Sequence, residues 1–134
     1  MCRGSMQTSP YDLIGGEPTV RRLTRRFYEL MDELPEAAAC RAIHKPSLAA
    51  TEQKLYEYLT GWLGGPPLFT DKYGHPMLRA RHLPFTIGEA EIDGWLACFT
   101  RAWAEAVPPG PLADTIFARV HDLARHMRNK VDNT

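Results

Sequence analysis

Apolar side chains recur at intervals of three and four residues along four long stretches of this chain, and this spacing constrains the fold more than any other feature of the sequence. The stretches cover residues 17–34, 48–62, 88–107 and 112–127. The first of them has its apolar stripe at Val20, Leu23, Phe27, Leu30 and Leu34. Such intervals are typical of amphipathic α-helices, whereas a half-buried β-strand alternates apolar and polar residues. Convincing alternation is absent from the sequence, which therefore predicts an all-α fold.

Prolines and glycines mark where the predicted helices begin and end. A short turn is expected over residues 35–40. Ser47 is a good N-cap for the second long helix, and Gly64-Gly65 is a natural stop at its end. Residues 66–74 lack a helical period and are expected to form an extended loop. His75-Pro76 can then open a short helix, because proline at the first helical position loses only an amide that has no partner there.

The segment GHPMLRARHLPF, over residues 74–85, has the chemistry of a metal site. Its short helix, which Pro84 ends, carries His82 beside Arg79 and Arg81. Two guanidiniums disfavour a protonated imidazole and so leave its lone pair free for a metal, and they can also hold carboxylates by paired hydrogen bonds. These residues alone allow two interpretations. One is an iron-ligating imidazole beside an anionic macrocycle, and the other is a solvated basic loop with an incidental histidine.

Length and charge exclude several other classes of protein. The chain has 134 residues, enough for one domain that encloses one cofactor, and its 16 basic and 16 acidic residues leave no net charge. We therefore expect no nucleic-acid partner and no membrane partner. We expect a cytoplasmic protein, because no apolar run is long enough for a signal peptide or a membrane span. Zinc-binding spacings and a G-x-S-x-G elbow are both missing from the sequence.

The segment at 74–85 resembles a group II truncated haemoglobin when it is taken with its flanking sequences. Those are Trp62-Leu63-Gly64-Gly65-Pro66-Pro67 before it and Asp93-Gly94-Trp95-Leu96-Ala97-Cys98 after it. The resemblance runs from about Tyr11 to Met127, and it implies a truncated globin fold, a two-over-two helical sandwich that encloses haem. It implies a disordered N-terminal extension over residues 1–10 and a single domain over residues 11–130. The implied cofactor is haem b with its iron, held non-covalently because the chain has no CxxCH attachment motif.

The resemblance also implies which residues form the haem site. The metal ligand is His82, and the family's ligand-binding positions on the opposite, distal side of the haem fall on Tyr28, His44, Thr51, Leu55 and Trp95. Cofactor-binding positions fall on Lys54, Arg79, Arg81 and His82, where the three basic residues would contact the haem propionates. An indole N–H can only donate, so Trp95 suits a negatively polarised ligand atom, and the Tyr28 hydroxyl can add a second donor.

His44 departs from the family pattern, because many members have tyrosine or phenylalanine at this position. A histidine there can hydrogen-bond the ligand, bridge to Tyr28, titrate near neutral pH or approach the iron itself. The sequence leaves these alternatives open.

The implied function is reversible binding of dioxygen, and of other diatomic ligands such as CO and NO, by a monomer or a homodimer. One alternative is redox catalysis at the same iron, as an NO dioxygenase or a peroxidase-like enzyme. The chain has no flavin or nicotinamide fingerprint, so such an enzyme would need a separate reductase protein. A second alternative is a cofactor-free helical interaction domain in which the aromatic stripes are only core.

Overall fold

The computed structural model describes residues 9–77, 80, 82 and 87–128. Its helices are α1 (Pro10–Leu13), α2 (Gly16–Glu33), a 3-10 turn (Pro35–Ala37), α3 (Ala38–Ala42), α4 (Ala49–Trp62), α5 (Leu68–Tyr73), α6 (Glu89–Ala106) and α7 (Pro111–His126). Ala80 and His82 are also helical. These described residues contain no strand, and the predicted all-α fold is confirmed. None of the helices among them has the length and apolar character needed to cross a bilayer.

The four long helices form the two-over-two sandwich. Helix α2 packs against both α4 and α6, and α6 also contacts α7. The predicted stripe of α2 forms the centre of the core, since Val20, Leu23, Phe27 and Leu30 are all fully buried. The Phe27 ring lies 6.2 Å from that of Phe99 on α6, in an edge-on arrangement. The amphipathic spacing of α2 therefore determines where the core lies.

The sequence also predicts a stripe at helical spacing along α4, formed by Leu48, Thr51, Leu55, Tyr58 and Trp62, and this stripe has a different environment. Thr51, Leu55, Tyr58 and Trp62 are only half-buried, and they line a cavity. The buried face of α4 is a neighbouring one, formed by Tyr56 and Thr60, and the buried Leu59 contacts both the core and the cavity. Helix α4 thus has two apolar faces, one packed against protein and one lining the cavity.

Three local predictions are wrong. Residues 68–73 form α5 and not an extended loop. His75-Pro76 does not open a helix, because Met77 has a positive φ of 45° and its N–H donates to His75 Nδ1 at 3.2 Å, which makes a turn. The N-cap of α4 is Leu48, while the Ser47 hydroxyl accepts a hydrogen bond from the Ala49 N–H at 3.4 Å. The predicted end at Pro84 and the disorder expected for residues 1–8 lie outside the described residues.

A glycine allows α6 to approach α3 closely. A Cβ atom at Gly94 would lie 3.0 Å from the Ala37 Cα in the 3-10 turn and 3.2 Å from the Cys40 Cβ in α3, so a larger residue would push α6 away from both. Cys40 and Cys98 are both buried free thiols in this region. Burial raises the pKa of Cys40 to about 12 and that of Cys98 to about 11, so both remain protonated.

Candidate functional site

A cavity of about 610 Å³ lies between α2, α3, α4, α6 and α7. Seven of the nine predicted site residues line it, although they come from separate parts of the sequence: Tyr28, His44, Thr51, Lys54, Leu55, His82 and Trp95. The other two, Arg79 and Arg81, lie outside the described residues. The fold therefore brings together most of the side chains that the sequence singled out.

Tyr28 reaches the cavity from α2, on a face next to the main apolar stripe. The residue is 5% exposed, and its ring lies edge-on to Phe27 with centroids 4.7 Å apart. Burial raises the pKa of Tyr28, and the nearby Cys40 and Glu52 raise it further. The phenol therefore stays protonated and keeps its O–H as a hydrogen-bond donor.

His44 lies just beyond the end of α3 and is half-buried. Its Nδ1 lies 2.8 Å from the backbone carbonyl oxygen of Cys40, and its ring centroid lies 6.1 Å from that of Tyr28. Burial lowers the pKa of His44, and electrostatic interactions with Arg41 and His82 lower it further, although the bond to Cys40 acts in the opposite direction. The neutral imidazole is therefore favoured at neutral pH.

Trp95 lines the cavity from α6 and is held by other aromatic rings. It stacks on Phe99 with centroids 5.2 Å apart and an interplanar angle of 9°, and it meets Phe27 edge-on at 4.9 Å. Because the same Phe27 ring also contacts Tyr28, it links the two donor residues. These contacts fix the orientation of the indole without using its N–H.

Helix α4 contributes Thr51, Lys54 and Leu55. Thr51 and Leu55 are half-buried, whereas Lys54 is exposed. Lys54 Nζ lies 5.4 Å from the centroid of the Tyr73 ring, a cation–π contact between α4 and α5. The ammonium group of Lys54 is therefore at the solvent edge of the cavity, where it can meet a carboxylate.

His82 is helical, half-buried and part of the cavity lining. Among the described residues that line the cavity, His82 and His44 are the two histidines.

A buried carboxylate joins α4 to α5 beside the cavity. Glu57 is 5% exposed, and its Oε2 accepts hydrogen bonds from Gln53 Nε2 at 3.2 Å and from Lys72 Nζ at 3.1 Å. The Tyr73 side chain also donates to this carboxylate. Burial acts to raise the pKa of Glu57, but the hydrogen bonds and the charge of Lys72 outweigh it, so the pKa is lowered. The ionised Glu57 thus binds the last turn of α5, the helix that carries Phe69 to the cavity.

Several cavity residues were not predicted as site residues. The structure adds Cys40, Tyr58, Trp62, Phe69, Val120 and Leu123. Val120 and Leu123 on α7 and Tyr58 and Trp62 on α4 recur at helical spacing, so periodicity identified the apolar faces of these helices but not that they line a cavity. Phe69 was expected in a loop. The sequence contains one signal for Glu57, which is that a charged residue falls within the buried face of a helix.

The sequence model of the bacterial-like globin family matches residues 9–129. The chain therefore belongs to the bacterial-like globin family, and its architecture is that of the truncated, two-over-two type. Group 2 truncated hemoglobin YjbI from Bacillus subtilis is 39% identical over 129 residues, which is 96% of this chain and 95% of that protein. Membership in this family implies haem iron as the prosthetic group.

Solved structures agree with this membership. The group II 2-on-2 hemoglobin from Agrobacterium tumefaciens superposes with a TM-score of 0.93 at 55% identity, covering 96% of this chain and 100% of that chain. The truncated oxygen-avid haemoglobin from Bacillus subtilis superposes with a TM-score of 0.82 at 40% identity, covering 91% of this chain and 100% of that chain.

Proposed function

We propose that this protein binds haem b and reversibly binds dioxygen at the haem iron, with His82 as the iron ligand and Tyr28 and Trp95 as donors to the bound ligand. The observation that carries the proposal is the shared cavity, which gathers an imidazole, a phenol and an indole from three distant parts of the chain. The similarity to an oxygen-avid haemoglobin supports dioxygen as the ligand.

The cavity fits haem in size and in chemistry. Its volume of about 610 Å³ lies within the usual range for small-molecule and cofactor pockets. The lining is mainly apolar, which suits the faces of a porphyrin, and Lys54 lies at the solvent edge, where a propionate would emerge. A histidine imidazole is a common iron ligand in globins, and His82 would supply it here. When bound, haem supplies an open iron coordination position for a diatomic molecule.

The residues of this chain would bind and orient that molecule. The Tyr28 hydroxyl and the Trp95 N–H make no hydrogen bonds with the described residues, so both donors are available. Both rings are fixed by aromatic contacts, so little conformational entropy is lost when they donate. Thr51 and Leu55 would line the ligand's surroundings without adding charge. Lys54, Arg79 and Arg81 would hold the propionates.

Redox catalysis at the same site is a second candidate, either NO dioxygenation or peroxide reduction. The specific observation in its favour is the pair of fixed donors, because polarised, retained dioxygen is what NO oxidation requires. This activity would depend on a separate reductase protein. We expect a fast stopped-flow reaction of the oxygenated protein with NO if the candidate is correct, and a slow reaction would count against it.

A haemin titration tests the main proposal. We expect the purified protein to take up haemin with a Soret band, and we expect His82→Ala to bind haemin more weakly and with a different ferric spectrum. His121→Ala is the matched control, because His121 lies on α7 and is not among the cavity-lining residues. A folded protein that takes up no haemin would refute the proposal. Identical spectra and affinities for His82→Ala and wild type would remove His82 from its assigned role.

A further inference from the structure

We infer that His44 presents an unprotonated ring nitrogen to the cavity, and that the site therefore favours small ligands that carry a transferable proton, such as hydrogen peroxide or hydrazoic acid. The inference rests on the proposed haem function and adds the class of ligand to it. It assigns to His44 the role of hydrogen-bond acceptor, complementary to the two donors.

The tautomer follows from the turn after α3. His44 Nδ1 lies 2.8 Å from the Cys40 carbonyl oxygen, which can only accept a hydrogen bond. Nδ1 must therefore carry the hydrogen. In a neutral imidazole only one ring nitrogen is protonated, so Nε2 keeps its lone pair. This assignment depends on the contact with a backbone carbonyl, which no substitution of a side chain removes directly.

The lone pair of Nε2 is available to a ligand. His44 lines the cavity, and the described residues offer no hydrogen-bond partner to its Nε2. Burial lowers the pKa of His44, which keeps the ring neutral before a ligand arrives. The Tyr28 ring is close by, with its centroid 6.1 Å from that of His44. The acceptor and a donor are thus adjacent on the same side of the cavity.

The other titratable or charged groups of the cavity are poorer proton acceptors. They are Tyr28 from α2, Cys40 from α3, Lys54 and Tyr58 from α4, Glu91 from α6, Lys45 and His82. Burial raises the pKa of both phenols and of the thiol, which keeps all three protonated. The two lysines are exposed cations, and His82 would use its lone pair on the iron. Glu91 accepts the Gly88 N–H at 2.7 Å, and a carboxylate is a weaker base than an imidazole. His44 is therefore the acceptor best suited to a protic ligand.

The proposed step is a proton transfer without oxidation or reduction. A weak acid HX enters the cavity, its X–H bond breaks, and the proton moves to His44 Nε2. The electron pair of that bond stays on X, and the iron of bound haem would supply the site that takes up X as the anion. The imidazolium that forms then donates a hydrogen bond back to the anion. Because this bond is charge-assisted, it adds to the affinity for the anion.

Azide binding to the ferric, haem-loaded protein tests this step. Azide is an anion at neutral pH, so the wild type should take up about one proton per azide bound, placed on His44. Calorimetric titrations in buffers of different ionisation enthalpy measure that number. We expect His44→Phe to take up no proton and to bind azide about tenfold or more weakly, through loss of the charge-assisted hydrogen bond. His121→Phe is the matched control, because His121 is not among the cavity-lining residues, and it should retain the proton uptake.

The outcomes separate this inference from the proposed function. Absence of haemin uptake by the wild type would refute the haem function itself. Normal haem binding with equal proton uptake by wild type and His44→Phe would overturn the inference alone. A resting ferric spectrum with two imidazole ligands, lost in His44→Phe, would also overturn it, because Nε2 would then be bound to iron.

A second measurement covers the case in which His44→Phe does not fold. Nitrogen-15 NMR of the ferrous CO complex distinguishes protonated from unprotonated imidazole nitrogens in the intact wild type. We expect a hydrogen on Nδ1 of His44 and none on Nε2. A hydrogen on Nε2 would contradict the inference directly.

Discussion

Trp95 contributes one donor atom to the cavity, and the position of its ring does not depend on that atom. Stacking on Phe99 and the edge contact with Phe27 are both contacts of the ring. A phenylalanine at this position keeps an aromatic ring among the same neighbours and removes only the N–H. The hydrogen bond and the packing can therefore be tested separately.

We expect Trp95→Phe to accelerate dioxygen dissociation by about tenfold or more, because a hydrogen bond to a charged acceptor contributes about 1.5–3 kcal/mol. Stopped-flow displacement of dioxygen by CO measures the rate. Trp103→Phe is the control, since Trp103 belongs to the same aromatic cluster but does not line the cavity. An unchanged dissociation rate in Trp95→Phe would remove Trp95 from its proposed role.

For single residues, the sequence predicts which side chains lie together in the cavity, but not which of their hydrogen-bonding atoms face it. Tyr28, His44 and Trp95 were singled out by resemblance, and the structure brings them to one cavity. The protonation of His44 depends on the backbone carbonyl that its ring meets, at Cys40. That contact is set by the turn after α3, which residue identity alone does not specify.

Among the helices, α5 depends most on a single buried group. Its six residues bury only Phe69, while Lys72 and Tyr73 donate to Glu57 on α4. Gln53, which also donates to Glu57, accepts in turn from Arg21 on α2 at 2.9 Å. This network therefore holds α5 against the rest of the fold.

We expect Glu57→Gln to lower the Tm by a few degrees, on the order of the loss of one charge-assisted hydrogen bond. The pKa of Glu57 is lowered in the folded protein, so its stabilising contribution is present above the ordinary glutamate pKa and is lost as the pH falls through the folded value. The difference in unfolding free energy between wild type and variant should therefore be largest at neutral pH and vanish in acid. Urea titrations across this pH range measure it.

Asp71→Asn is the control for this prediction, because Asp71 is an exposed acidic residue on the same short helix. It should change stability little at any pH. A pH-independent difference between wild type and Glu57→Gln would contradict the role of ionised Glu57.

The long helices were predictable because each carries its own amphipathic period, and α2, α4, α6 and α7 are all found within a few residues of their predicted bounds. Helix α5 was not, since its stability comes from contacts with Glu57, which is distant in sequence. Periodicity also identified the apolar stripe on α4 without revealing that it lines a cavity. Whether an apolar face meets protein or cofactor depends on the assembled fold.

Over the whole molecule, haem and folding should be coupled, because the cavity lining comes from several helices at once. A ligand that binds only the native state stabilises it by about 2.7 kcal/mol at a concentration of about one hundred times its Kd. We expect haemin to raise the Tm of the wild type by several degrees and that of His82→Ala by less. Differential scanning calorimetry measures both.

Protoporphyrin IX without iron provides the control for this prediction. It fills the same cavity but offers His82 no metal, so it should stabilise wild type and His82→Ala equally. Equal stabilisation of the two proteins by haemin as well would show that the cavity holds the ring without an iron–imidazole bond.

The rates at which a disulfide reagent labels the two buried cysteines, Cys40 and Cys98, report how often the structure opens. Only a thiolate reacts readily with a disulfide reagent. A buried, protonated cysteine is therefore labelled only after the structure around it has opened. Cys40 lines the cavity, whereas Cys98 packs in the core and does not. Local opening of the cavity would label Cys40 faster than Cys98, whereas global unfolding would label both at similar rates. The ratio of the two rates therefore distinguishes these motions without any substitution in the chain.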